Sequence, residues 1–98
     1  MEYRIFVQIP GVRLADEASW ERLIGWLEGN HGDLGPVISW DDSTTARITV
    51  ATNAEDAAAA AEVATGAVSR ALHATDLGAL YPHAIEVESV DAKESLAA

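Results

Sequence analysis

The side chains of this 98-residue chain that could do acid–base, metal or nucleophilic chemistry are few: His31, His73 and His83, the adjacent pair Asp41–Asp42, and scattered serines. Imidazoles ligate metals or relay protons near neutral pH. Paired carboxylates divide acid and base roles when their surroundings differ. There is no cysteine, which excludes disulfide staples, thiolate catalysis and cysteine-ligated zinc or iron–sulfur centres. Ser19, Ser39, Ser43, Ser69, Ser89 and Ser95 all lie outside a G-x-S-x-G elbow. The glycine-rich stretch Gly29-Asn30-His31-Gly32-Asp33-Leu34-Gly35 follows an apolar helical stripe instead of opening one, the wrong order for a phosphate cradle. Whether any of these groups act together depends on which elements bring them into reach.

Tyr3, Ile5, Val7 and Ile9 alternate with Arg4, Phe6 and Gln8, the period-two pattern of a strand, and Pro10-Gly11 ends it. Asp16 is placed to cap a helix through about Gly29, with Trp20, Leu23, Ile24 and Leu27 on one stripe. Asn30 to Pro36 reads as a loop. Val37–Trp40 and Thr45–Ala51 read as two strands joined by the polar link Asp41–Thr44, a hairpin. Thr52-Asn53 is expected to cap a long alanine-rich helix whose stripe is Ala57, Ala61, Ala64, Val68, Ala71 and Leu72, with Glu55 and Asp56 in its first turn. Asp76-Leu77-Gly78 marks its exit. Ala84–Val90 alternates as the last strand, and 91–98 reads as a polar tail after a single domain over 1–90.

The order β-α-β-β-α-β, right-handed crossovers and a central hairpin predict an α+β sandwich. Its four-stranded antiparallel sheet would run in the order 4-1-3-2, with two helices on one face. Over residues 3–90 this resembles the ferredoxin-like (split βαβ) superfold, which names no function.

The topology separates the candidate groups. The turn after the first strand, the hairpin tip at Asp41-Asp42-Ser43 and the Leu77–His83 connection share one end of the sheet. His31 and Asp33 belong to the other. The second and fourth strands are opposite edges, about 14 Å apart, so Asp41, Asp42 or Ser43 cannot join His83 across ligand distances near 2 Å. His73, near a helix C-terminus, reads as a dipole-complementing residue. The sequence therefore predicts no catalytic residue, no metal and no cofactor.

Binding is the better prospect. Trp20 belongs to the core stripe. Trp26 sits off it and is expected half exposed, whereas Trp40 shares the parity of Ile38 and is expected to face the core. Either one, if exposed, would anchor a partner or ligand, since aromatic rings give large contact area at small entropic cost. The sheet face away from the helices would carry Phe6, Arg4, Gln8, Val37, Ser39, Thr45, Arg47 and Thr49, joined by either Glu86 and Glu88 or Ile85 and Val87. Phe6 and Val37 would be its apolar part. One aromatic with acidic neighbours is a poor RNA platform, and the face suits a sheet-to-sheet homodimer. Dimeric α/β-barrel proteins of about this length, to which the chain has a general resemblance, bury that face. In addition, Pro10-Gly11-Val12-x-Leu14 resembles the turn of ACT regulatory domains, which bind amino acids there. The acidic residue often found before that Pro-Gly is Ile9 here.

Charge narrows the partners. Sixteen acidic residues against six basic ones give a net charge of −10, which argues against binding phosphate backbones or anionic membranes. The bias to Arg over Lys and the abundant alanine fit a GC-rich genome, such as an actinobacterial one, or a salt-adapted organism, so much of the acidity reads as background. The first residues lack a signal-peptide pattern, and no apolar run approaches a membrane span, which predicts a cytoplasmic protein. The reading is a non-catalytic association or regulatory domain, homodimeric or docking on another protein, with Phe6, Gly11, Val12, Trp26 and Trp40 as candidate binding residues. The alternatives are an ACT-like or dimeric-barrel small-molecule sensor near Gly11, Val12 and Trp40, an enzyme of the barrel kind using His73 or His83, and an acidic decoy of a nucleic-acid-binding protein.

Overall fold

A computed structural model describes residues 1–10, 17–42, 45–75, 77 and 80–90. Its elements are β1 (Glu2–Pro10), α1 (Glu17–His31), a 3-10 turn at Gly32–Leu34, β2 (Val37–Asp42), β3 (Thr45–Asn53), α2 (Ala57–Ala74) and β4 (Ala84–Ser89). The protein is an α+β domain with two helices and one four-stranded antiparallel sheet, whose order is β2-β3-β1-β4. Asp16, expected to cap the first helix, and the tail 91–98 lie outside the described residues.

Alternation in β1 is what gives the sheet two unlike faces. Tyr3, Ile5, Val7 and Ile9 are buried, together with Ala46, Ile48 and Val50 of β3. Against them pack Trp20, Leu23 and Leu27 of α1 and Ala60, Ala64, Ala67, Val68, Ala71 and Leu72 of α2. The alanines of α2 keep that helix close to the sheet, since each Cβ needs little room. Leucines there would overpack a core already at crystal-like density.

The start of α2 differs from the sequence expectation. Asn53 is drawn into the ladder opposite Glu2, and Ala54 N–H donates to Met1 O at 3.0 Å. Neither Thr52 nor Asn53 is therefore in position to cap a helix. Asp56 does so, with extended backbone and a carboxylate that accepts from Ala59 N at 2.8 Å. The buried stripe consequently begins at Ala60 and includes Ala67, while Ala57 is exposed and Ala61 only partly covered. Five consecutive alanines at 57–61 offer no apolar contrast from which to read the phase of the first turn. Gly35 closes the 3-10 turn at φ 58, a left-handed conformation that costs a side-chain-bearing residue about 1–2 kcal/mol.

Candidate interaction face

The sheet face turned away from the helices is built from the other parity of each strand. Register places Val37, Thr49, Phe6 and Glu86 in one row across all four strands, because each is the pairing partner of the next. Ser39, Arg47, Gln8 and Ala84 form the neighbouring row. Ala51, Arg4 and Glu88 form the row on the other side. The two possibilities for the last strand are thus resolved: Glu86 and Glu88 face outward here, and Ile85 and Val87 share the helix side with Val7 and Ile5.

Charge on this face is sorted by strand. The arginines stand on the two central strands, and the carboxylates Glu86 and Glu88 stand along the β4 edge. Arg47 reaches from β3 across β1, its guanidinium 4.3 Å from the centre of the Phe6 ring. It continues to Glu86, with Nη2 to Oε2 3.5 Å. The cation–π contact is worth about 0.5–1 kcal/mol at an exposed site. The ion pair is worth less, because the Glu86 side chain is 75% exposed and water screens it. The pair's effect is geometric: it helps keep the guanidinium over the Phe6 ring.

Beside this bridge is a groove of about 330 Å³ lined by Phe6, Gln8, Ala84, Ile85 and Glu86. At the opposite edge of the same face Val37 stands 59% exposed. A hollow of mixed lining and an exposed valine therefore lie on one surface, at its two edges.

The other candidates fare differently. Trp26 is half-buried as expected and rests against the His31 ring, centroids 5.7 Å apart. Trp40 does lie on the helix side, where it meets Trp20 edge-on at 5.5 Å. It nevertheless remains 49% exposed, a correction to the expected core placement. The cause is that an edge strand has one neighbour, so a large ring there is covered from one side only. Gly11 and Val12, and with them the ACT-like turn, lie outside the described residues, as do the side chains of Asp41 and Asp42. His73 and His83 are both exposed, and His83 uses its backbone N–H to extend the β1–β4 pairing, donating to Gln8 O at 2.9 Å. Among the described residues no three His, Asp or Glu side chains converge as metal ligands.

The Arg47–Phe6–Glu86 bridge was not singled out from sequence. Strand parity puts Arg47 and Phe6 on one face, but only the register brings all three side chains together. Scans against protein-family models, curated proteins and solved structures each found no match. No described helix is long and apolar enough to cross a membrane.

Proposed function

We propose that this chain is a ferredoxin-like, non-catalytic association domain that works in the cytoplasm by pairing with a second copy through its open sheet face. Counted from the β4 edge the strands run 4-1-3-2, which supports the ferredoxin-like part of that reading. The observation that carries the functional reading is the outward-facing row Val37–Thr49–Phe6–Glu86, exposed at its two ends, with the groove beside it. Exposed apolar groups at both edges of the face, with arginine between them, support that reading, since arginine and aromatic side chains are enriched at interfaces. His73 and His83, the histidines an enzyme of the barrel kind would use, are both exposed and outside the groove lining. The carboxylates whose side chains are described are spread over the start of β1 (Glu2), α1 (Glu21, Glu28), the 3-10 turn (Asp33), α2 and its approach (Glu55, Asp56, Glu62) and the β4 edge (Glu86, Glu88), so the decoy reading draws no support from a single acidic face.

A second reading rests on the groove alone, whose volume is at the lower end of small-molecule sites. In that case the dimer would respond to a metabolite. Sedimentation equilibrium over a wide concentration range tests the first reading: a reversible dimer that Phe6→Ala weakens is expected. A strict monomer at high micromolar concentration would overturn it. Thermal stabilisation by a small molecule, read as a ligand-dependent melting shift, would favour the second.

A further inference from the structure

We infer that the edge of β4 takes up an extended, basic segment of another protein as a fifth strand. Strand addition runs in the plane of the sheet, so this inference does not depend on what covers the open face. The sheet order leaves two edges, β2 and β4. An edge strand directs the N–H and C=O groups of alternate residues outward, a template for a further strand. On β2 a register shift between Trp40 and Asp42 interrupts the pairing with β3, and such an irregularity blunts an edge. The pairing of β4 is regular: Ala84 through Ser89 stand opposite Gln8 through Tyr3 without a break. Ile85, on the helix side of β4, is 41% exposed, so this edge also offers apolar surface for a neighbour to cover.

Charge states what that neighbour carries. Antiparallel pairing of β4 with its own copy, in any register that joins most of the strand, sets Glu86 opposite itself or opposite Glu88. Like charges directly opposite destabilise a ladder, so this edge rejects a second copy. A basic strand meets the reverse. Arg4, opposite Glu88, stands on β1 and Arg47 on β3, both inward of the carboxylates. An added strand lies outside them, with its side chains about 5 Å from those directly opposite. Arg47 engages Glu86 through Oε2 and leaves that side chain 75% exposed, and one carboxylate accepts several donors. The net charge of −10 adds long-range attraction for a basic partner.

The groove supplies a third position. Ala84 is the small member of the outward column Ala84, Glu86 and Glu88, and the hollow of about 330 Å³ is lined by it together with Phe6, Gln8, Ile85 and Glu86. Such a mixed lining suits a lysine or arginine, whose methylenes cover apolar surface while the charged head reaches a carboxylate. The segment is therefore basic beside Ala84, Glu86 and Glu88 and apolar beside Ile85 and Val87. This period-two pattern holds whether the added strand runs parallel or antiparallel.

The test uses the whole chain, labelled with nitrogen-15, and a capped hexapeptide of alternating lysine and valine, matched to the six residues of β4. A second peptide has the same composition with its lysines grouped. The alternating peptide is expected to bind more tightly than the grouped one, to shift the amide resonances of 84–89 most, and to slow hydrogen exchange at alternate residues there. Glu86→Gln combined with Glu88→Gln should weaken binding about fivefold, the worth of two cross-strand ion pairs. Glu28→Gln combined with Glu62→Gln removes the same charge from exposed helix positions and should leave binding within about twofold, because screening hides distant charges. Equal binding of the grouped peptide, shifts centred away from β4, equal losses from the two double variants, or no binding at millimolar peptide would each overturn the inference.

Discussion

Replacing Asp56 by Ala tests where α2 begins, and so whether β3 or the helix owns the residues between them. Asp56 Oδ1 accepts from Ala59 N at 2.8 Å, and Asp56 O accepts the first helical bond from Ala60 N at 3.1 Å. Losing an N-cap of this kind costs about 0.5–2 kcal/mol, typically near 1. The carboxylate also faces the positive end of the helix dipole, for about 0.3 kcal/mol more at an exposed site. Against this, removing one negative charge from a chain of net −10 relieves some repulsion. The balance is a loss of about 1 kcal/mol, which for a domain of this size lowers the melting temperature by roughly 4–8 °C. Asp56→Asn separates the two contributions: it keeps the acceptor and drops the charge, and should recover most of the loss. Thr52→Ala, half-buried in β3 opposite Tyr3, should cost less than Asp56→Ala, because it gives up strand propensity but no cap. Its hydroxyl contact is the long one to Asn53 O, 3.4 Å. Urea melts followed by far-UV circular dichroism measure all three. If Thr52→Ala costs as much as Asp56→Ala, or if Asp56→Asn recovers nothing, the capping argument is refuted.

Other substitutions follow from the packing and the open face. Ala64→Leu, at a fully buried position of α2, should destabilise by about 1–3 kcal/mol through overpacking; an unchanged urea midpoint would mean that α2 does not lie close on the sheet. Gly35→Ala should lose about 1 kcal/mol because of its positive φ. Gly25→Ala, inside α1 with open space around the added carbon, should gain about 0.5–1 kcal/mol by helix propensity, and chemical denaturation of the two variants together checks the contrast. Iodide should quench Trp40 more than Trp20, which is 3% exposed, as single-tryptophan variants would report. Because each copy carries a net charge of −10, dimerisation should strengthen as salt is raised from low to moderate levels, and sedimentation showing the opposite trend would argue that cross-interface ion pairs dominate.

Alternation and helical spacing are local properties, and they made most of the elements legible. The parity of Tyr3–Ile9 and the stripe Trp20, Leu23, Leu27 specified both the buried face of β1 and the inner side of α1. The outward residues Phe6, Arg47 and Val37 of the candidate face could be named for the same reason. Glu86 and Glu88 could not be assigned to a side, since Ile85-Glu86-Val87-Glu88 alternates equally well in either orientation at a partly covered edge. Pairing with β1, some eighty residues earlier in the chain, made that choice.

What the sequence by itself determined, then, is an α+β domain whose sheet has one apolar and one mixed face, with no cysteine and a net charge of −10. Tertiary structure decided three things. It moved the helix cap from Thr52-Asn53 to Asp56, because Glu2 claimed Asn53 for the ladder. It left Trp40 half in solvent, because an edge strand shields a ring from one side only. It also joined Arg47, Phe6 and Glu86, side chains from three strands, into one bridge. Each of these depends on which residues far apart in the chain become neighbours, and the spacing of residues along a single strand or helix carries no information about that.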